Sequence, residues 1–281
     1  MTAIDAWAQH PTERFLSQPF FASLQRWTGR RFSAVPAEAT VAAMDEAGVE
    51  RAVLAAWHGP EGPLIGNDDV RRMLTAWPDR LLGLAAVDLA RPMKAIDAQR
   101  ECVEVHGFAG LRIVQWLWGL PPTHPLCYPL YAECVRLGVP VCLQVGLTGP
   151  LRESSTGRPE HIERIALDFP ELVIVCGHIG YPWHTEMIAY ATKFPNVYID
   201  TSAYKPSRYP PELVAYMNGH GRGKVLFGSN YPMLMPAECL AQVDSLGLDQ
   251  DALDLFLAGN ARRVFGIEKK PRRPENARDL R

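Results

Sequence analysis

At 281 residues the chain is long enough for one large domain with a full hydrophobic core, or for two. Its 29 basic and 31 acidic residues are interspersed and leave a formal charge of −2, which offers no basic surface for nucleic acid. No apolar run of about 18 residues occurs, so no membrane span is expected, and Met1 to Asp5 lack the basic start and apolar core of a secretory signal, so a cytoplasmic location is expected.

In chain order, Ala3 to Gln9 reads as a first strand ending at His10-Pro11. A loop of about 25 residues follows, with Phe15, Phe20, Phe21 and Trp27; so long and aromatic a loop reads as a lid or binding loop. Pro36 opens a helix that Gly48 stops, and Arg51 to Trp57 is strand two, ending at His58. A helix from Asn67 to Trp77 leads to strand three, Leu81 to Val87, ending at Asp88. Pro92 starts the next helix, and Ala109 to Val114 is strand four, with Arg112 inside it and the aromatic loop Trp116-Leu117-Trp118 after it. A helix from Pro125 to Leu137 precedes strand five, Val139 to Val145, and a helix from Pro159 to Asp168 follows.

Three apolar runs then carry polar residues at their C-terminal ends: Val173 to Cys176 before Gly177-His178, Asn196 to Ile199 before Asp200-Thr201-Ser202, and Lys224 to Phe227 before Gly228-Ser229-Asn230. Each is too short for a lone buried helix and is bounded by Gly, Pro or Asn, as buried parallel strands are. Cys239 to Leu246 reads as the eighth helix. Cys142 and Cys176 lie inside these strand patterns, and the six cysteines form no C-x-x-C, so buried free thiols are expected.

Eight strands alternating with eight helices predict an α/β chain folded as a single-domain (β/α)8 barrel over residues 1–267, with a polar, basic tail at 268–281. An open doubly wound sheet is the alternative, weakened by the lack of a Gly-x-Gly-x-x-Gly after strand one. A barrel assembles its site from strand C-termini. That selects Gln9, His10, Trp57, His58, Asp88, Arg112, Gln144, His178, Thr201, Ser202 and Asn230. His178, His10 and His58 are candidate acid–base groups, because imidazole titrates near neutrality, with Asp88 and Asp200 as partners. Arg112, inside an apolar run, requires an anion, either a protein carboxylate or that of a substrate. Trp116, Trp118, Trp183, Tyr181 and Tyr204 can wall a pocket for a flat ligand.

Gly177 to Trp183, Asn196 to Ala203, Val225 to Pro232 and Gly259 to Phe265 resemble the amidohydrolase-related group of the amidohydrolase superfamily, which includes aminocarboxymuconate semialdehyde decarboxylase and aromatic-acid decarboxylases. The resemblance covers most of the chain and implies the same barrel. It also implies a divalent centre held by two His of a His-x-His on strand one, one His each from strands five and six, and an Asp from strand eight. The matching positions here are Trp7 and Gln9, Gln144, His178 and Asn230, so only His178 keeps the expected side chain. An amide oxygen is a weak neutral donor and indole is none. No cofactor is therefore expected; zinc would need an unusual site built from His10, His58 and His178.

The first reading is a metal-independent enzyme that hydrolyses a small carboxylated lactone, ester or related ring. His178 and His10 would move protons, and Asn230 would orient the reacting group. Trp7, Gln9, His58, Arg112, Trp116, Gln144, Tyr181 and Tyr204 would bind the substrate. The second is a carboxy-lyase acting on an aromatic or unsaturated acid, and the third a barrel that binds a ligand without turnover. The expected partner is a small carboxylate, and the resemblance allows a homodimer.

Overall fold

A computed structural model describes residues 2–267; the polar tail assigned to 268–281 lies outside them. Eight strands form one parallel sheet: β1 (Ala3–Ala8), β2 (Val49–Ala55), β5 (Leu81–Ala85), β6 (Gly110–Ile113), β7 (Val141–Gln144), β8 (Ile174–Gly177), β9 (Val197–Asp200) and β10 (Val225–Leu226), neighbouring in that order. The two strands omitted from that series, β3 (Trp57–Gly59) and β4 (Gly62–Ile65), make a small antiparallel hairpin. The sheet closes on itself. Ala8 bridges Tyr231 in parallel, Ala6 N–H donates to Phe227 O at 2.9 Å, and Asn230 N–H donates to Trp7 O at 2.8 Å. The eight-fold alternation read from the sequence is thus a (β/α)8 barrel in one domain. No helix among the described residues is long and apolar enough to cross a membrane.

Strand β1 is buried along its whole length, and β6, β7 and β8 likewise, because each is covered by helices outside and filled by side chains inside. Register pairs Arg112 with Cys142, and Gln144 with Gly177; paired residues face the same side, here the barrel interior. All six cysteines are buried and free, as the strand patterns around Cys142 and Cys176 and the lack of a C-x-x-C predicted.

Three connections differ from expectation. The aromatic stretch after β1 is not an open loop: Glu13–Leu16 and Phe20–Thr28 are helical. Thr12 Oγ accepts from Phe15 N–H at 3.2 Å to start the first, and burial of Phe15, Phe20 and Phe21 fastens both over the barrel mouth. Gln115–Trp118 closes into a helical turn rather than a loop, with Gly119 in the left-handed conformation at its end. The helix expected over 239–246 divides into Pro236–Leu240 and a 3-10 turn, Val243–Leu246.

Candidate active site

The C-terminal mouth of the barrel is a cavity of about 470 Å³. Its floor is Gln9, Gln144, His178 and Asn230, each from the end of a different strand. Its walls are mostly apolar, led by Phe20, Phe21, Trp57 and Trp116, with Tyr181 and Tyr204 on the far side. The wall rings interlock edge to face: Phe20 meets Trp116 at 5.1 Å and Phe15 meets Trp57 at 4.8 Å between centroids. Among the described residues, no carboxylate lines the cavity, and Arg208 is the one residue with a permanent charge that does. A wider groove of about 700 Å³ lies across the helix Phe20–Thr28 but takes in no residue from the ends of the barrel strands.

Local backbone explains how the floor forms. His178 follows Gly177 directly, so continued pleating would point it away from the interior. Strand β8 ends at Gly177, and His178 takes φ +72°, a left-handed conformation uncommon for a side-chain-bearing residue. That turn brings the ring over the barrel. Asn230 reaches the floor in the same way with φ +66°.

Side-chain contacts then fix the donors. His178 Nδ1 lies 2.8 Å from Ser202 Oγ and 3.2 Å from Ser202 O, which leaves Nε2 for a ligand. Burial and the nearby Arg112 cation lower the His178 pKa to about 3, so the imidazole is neutral at pH 7. Gln9 Nε2 donates to Asn230 Oδ1 at 3.1 Å, and Trp116 Nε1 donates to Gln144 Oε1. These bonds use the amide oxygens of Asn230 and Gln144, so their NH₂ groups remain as donors toward an anion.

Beneath this floor lies a second layer. Trp7 is 1% exposed; its ring stands 5.3 Å from His178, edge-on, and covers Gly177, where a Cβ would fall 2.4 Å from the indole. The Arg112 guanidinium stacks 3.5 Å from the Trp7 ring centroid. Arg112 is 2% exposed, and none of its three guanidinium nitrogens has a hydrogen-bond partner among the described residues. Burial lowers its pKa to about 9, which leaves it cationic at neutral pH. Asp5 and Asp200 share this interior, and burial raises them to about 6 and about 7.

Of the residues selected from the sequence, Gln9, Trp116, Gln144, His178, Tyr181, Tyr204 and Asn230 come together around the cavity. Trp7 and Arg112 lie under its floor. His10 does not reach it: β1 ends at Ala8, and His10 Nδ1 turns to Thr40 Oγ1 at 2.8 Å. His58 is also elsewhere, in the β3–β4 hairpin, stacked on Trp118 at 6.0 Å. Neither is placed to share acid–base work with His178, and the unusual zinc site that would need all three does not assemble. The sequence reading named Phe15, Phe20 and Phe21 in a lid or binding loop; they form a wall of the cavity, carried on two short helices instead of a loop.

A divalent centre of the kind the resemblance implies does not fit these residues. The mouth supplies one imidazole and three neutral amides, where zinc takes three or four ligands from His, Cys and carboxylate. Indole fills the centre, with a guanidinium cation stacked on it. Among the described residues, no three His, Cys, Asp or Glu side chains gather closely enough to hold a metal ion.

Comparison with solved structures returns the same architecture. An uncharacterized TIM-barrel protein of Bordetella bronchiseptica is 26% identical with a TM-score of 0.82, over 95% of this chain and 99% of that one. 2,6-Dihydroxybenzoate decarboxylase from Rhizobium is 20% identical, TM-score 0.71, over 94% and 98%. A dihydroxybenzoic acid decarboxylase of Polaromonas, solved with bound manganese and the inhibitor 2-nitroresorcinol, is 18% identical, TM-score 0.70, over 96% and 97%. The family model described as Amidohydrolase matches residues 5–267, nearly the whole chain, and the protein therefore belongs to the amidohydrolase family.

Proposed function

We propose that this chain is a carboxy-lyase for a small planar acid, working through His178 without a divalent cation. The observation that carries the reading is the cavity itself: apolar, aromatic walls over a floor of one neutral imidazole and three amides, with no carboxylate among the described residues lining it. Such walls accept a flat ring. They also raise the energy of a carboxylate relative to neutral carbon dioxide, which favours its loss. The NH₂ groups of Asn230 and Gln144 orient the acid, and Arg208 attracts it at the rim. As the carbon–carbon bond breaks, its electron pair stays on the substrate carbon and carbon dioxide leaves. His178 Nε2 then delivers a proton to that carbon. The decarboxylases among the structural relatives support this reading, although their sequences are distant and one was solved with manganese.

Hydrolysis of a lactone or ester becomes the second reading. The amide donors suit a developing oxyanion. An imidazole held near pKa 3, however, is a weak base toward water.

Carbon dioxide release from a panel of hydroxybenzoates and unsaturated acids, run beside a lactone and ester panel, tests the assignment. Release from at least one planar acid is the expected result. Hydrolysis of a lactone with no carbon dioxide from any acid would replace the first reading with the second.

A further inference from the structure

Delivering a proton from an imidazole that is neutral at pH 7 requires a second acid behind it. We propose that Asp200 is that acid, acting as a positioning residue through Ser202, so that Asp200, Ser202 and His178 form a buried proton relay. The use made of the proton rests on the carboxy-lyase reading, whereas the relay itself is a property of the chain.

The geometry places the three groups in series. Ser202 Oγ is 2.8 Å from His178 Nδ1. Ser202 N–H donates to Asp200 Oδ1 at 2.9 Å, and the Ser202 hydroxyl also interacts with the Asp200 carboxylate. Asp200 is 0% exposed, and its Oδ2 makes no hydrogen bond of ordinary geometry among the described residues. The Gly228 backbone closes over that oxygen, since a Cβ there would fall 2.2 Å from it. A buried carboxylate so sparsely compensated tends to hold its proton.

The groups facing Asp200 come from several elements. Asp5 on β1 disfavours its ionised form and Arg112 on β6 favours it, while Cys142 on β7 and Tyr209 are neutral near pH 7. Burial outweighs the rest and raises Asp200 to about 7. Below that pH the carboxyl O–H donates to Ser202 Oγ, the serine O–H donates to Nδ1, and the imidazole proton sits on Nε2, facing the cavity. Above it the serine O–H turns to the carboxylate, Nδ1–H donates to Ser202 Oγ or O, and Nε2 is bare. His178 stays uncharged in both arrangements; only its tautomer changes.

In the reaction, Nε2–H passes to the substrate carbon that has lost carbon dioxide. Nδ1 takes the serine proton, and Ser202 Oγ takes the Asp200 proton. The result is an Asp200 carboxylate and a ring protonated at Nδ1; once product leaves, Nε2 takes a proton from water entering the cavity and the relay runs back, returning a proton through Ser202 to Asp200. No oxidant or further reactant is needed.

Long-range proton–nitrogen NMR of the full chain carrying ¹⁵N-histidine tests this directly, with the His178 signals assigned by their loss in His178→Gln. Between about pH 5.5 and about pH 8.5 the wild-type ring is expected to stay neutral while its protonated nitrogen changes from Nε2 to Nδ1, with a midpoint near 7. In Asp200→Asn that midpoint is lost. In Ser202→Ala the ring keeps Nδ1–H on the main-chain carbonyl at every pH. A wild-type tautomer that does not change, or a change that survives in Asp200→Asn with the same midpoint, overturns the relay. Should Asp200→Asn not fold, the wild-type and Ser202→Ala titrations decide. Carbon dioxide release, falling as pH rises through about 7 in wild type, is read separately. A tautomer change without release from any acid keeps the relay and removes the lyase reading; release with a fixed tautomer does the reverse.

Discussion

Alanine in place of His178 is expected to lower turnover by roughly a hundred-fold to ten-thousand-fold, the range associated with losing a positioned proton donor. The fold should persist. The ring is held by Ser202 and by edge contact with Trp7, and it forms no part of the strand ladder, which ends at Gly177. Its neighbours offer no replacement. Asn230, Gln9 and Gln144 carry amides that do not exchange protons near neutrality, and Asp5 and Asp200 lie in the layer below the floor. The check is kcat for carbon dioxide release, with far-ultraviolet circular dichroism confirming an unchanged fold. Turnover within a few-fold of wild type would remove His178 from the chemistry.

Trp7→Ala is expected to have the largest effect on stability. The indole is almost wholly buried at the centre of the barrel, and removing a core tryptophan costs about 3–5 kcal/mol. The Arg112 guanidinium would also lose the ring it stacks on at 3.5 Å, while its nitrogens have no hydrogen bonds among the described residues to hold it. Trp7→Phe separates these contributions. The indole N–H has no hydrogen-bond partner among the described residues, so phenylalanine keeps an aromatic face for Arg112 and leaves no unsatisfied acceptor. Urea unfolding should place the phenylalanine variant much nearer wild type than the alanine variant. Equal midpoints for wild type and Trp7→Ala would mean that the indole bears no part of the core.

The barrel was legible because eight short apolar runs, each bounded by Gly, Pro or polar residues, alternate with helical patterns, and burial on both faces leaves such runs little else to be. Much of the floor was legible too, because Gln9, Gln144, His178 and Asn230 all follow or end a strand. Sequence could not separate Gln9 from His10, or recognise that His58 belongs to a hairpin. Where a strand stops decides which way the next side chain turns, and β1 stops at Ala8 through pairing with a segment more than two hundred residues away. Nor could it show Arg112 lying under Trp7 instead of lining the cavity, since both face the interior and only depth distinguishes them. The relay was half visible. Asp200 and Ser202 stood out at a strand end, but their link to His178 depends on the left-handed turn after β8, which sequence pattern does not encode. The segment of Phe15, Phe20 and Phe21 stood out by its aromatic density, but its helices were hidden because helices that short are fastened by tertiary packing more than by their own propensity.

The proposed replacement of a divalent centre by neutral amides, indole and a buried guanidinium is tested most directly by the metal content of protein purified without chelator, measured by elemental mass spectrometry. The expected result is zinc and manganese far below one ion per chain, with carbon dioxide release unchanged by added chelator. About one ion per chain, lost in His178→Ala together with turnover, would contradict it and return the chemistry to a metal held by a ligand set not recognised in this barrel.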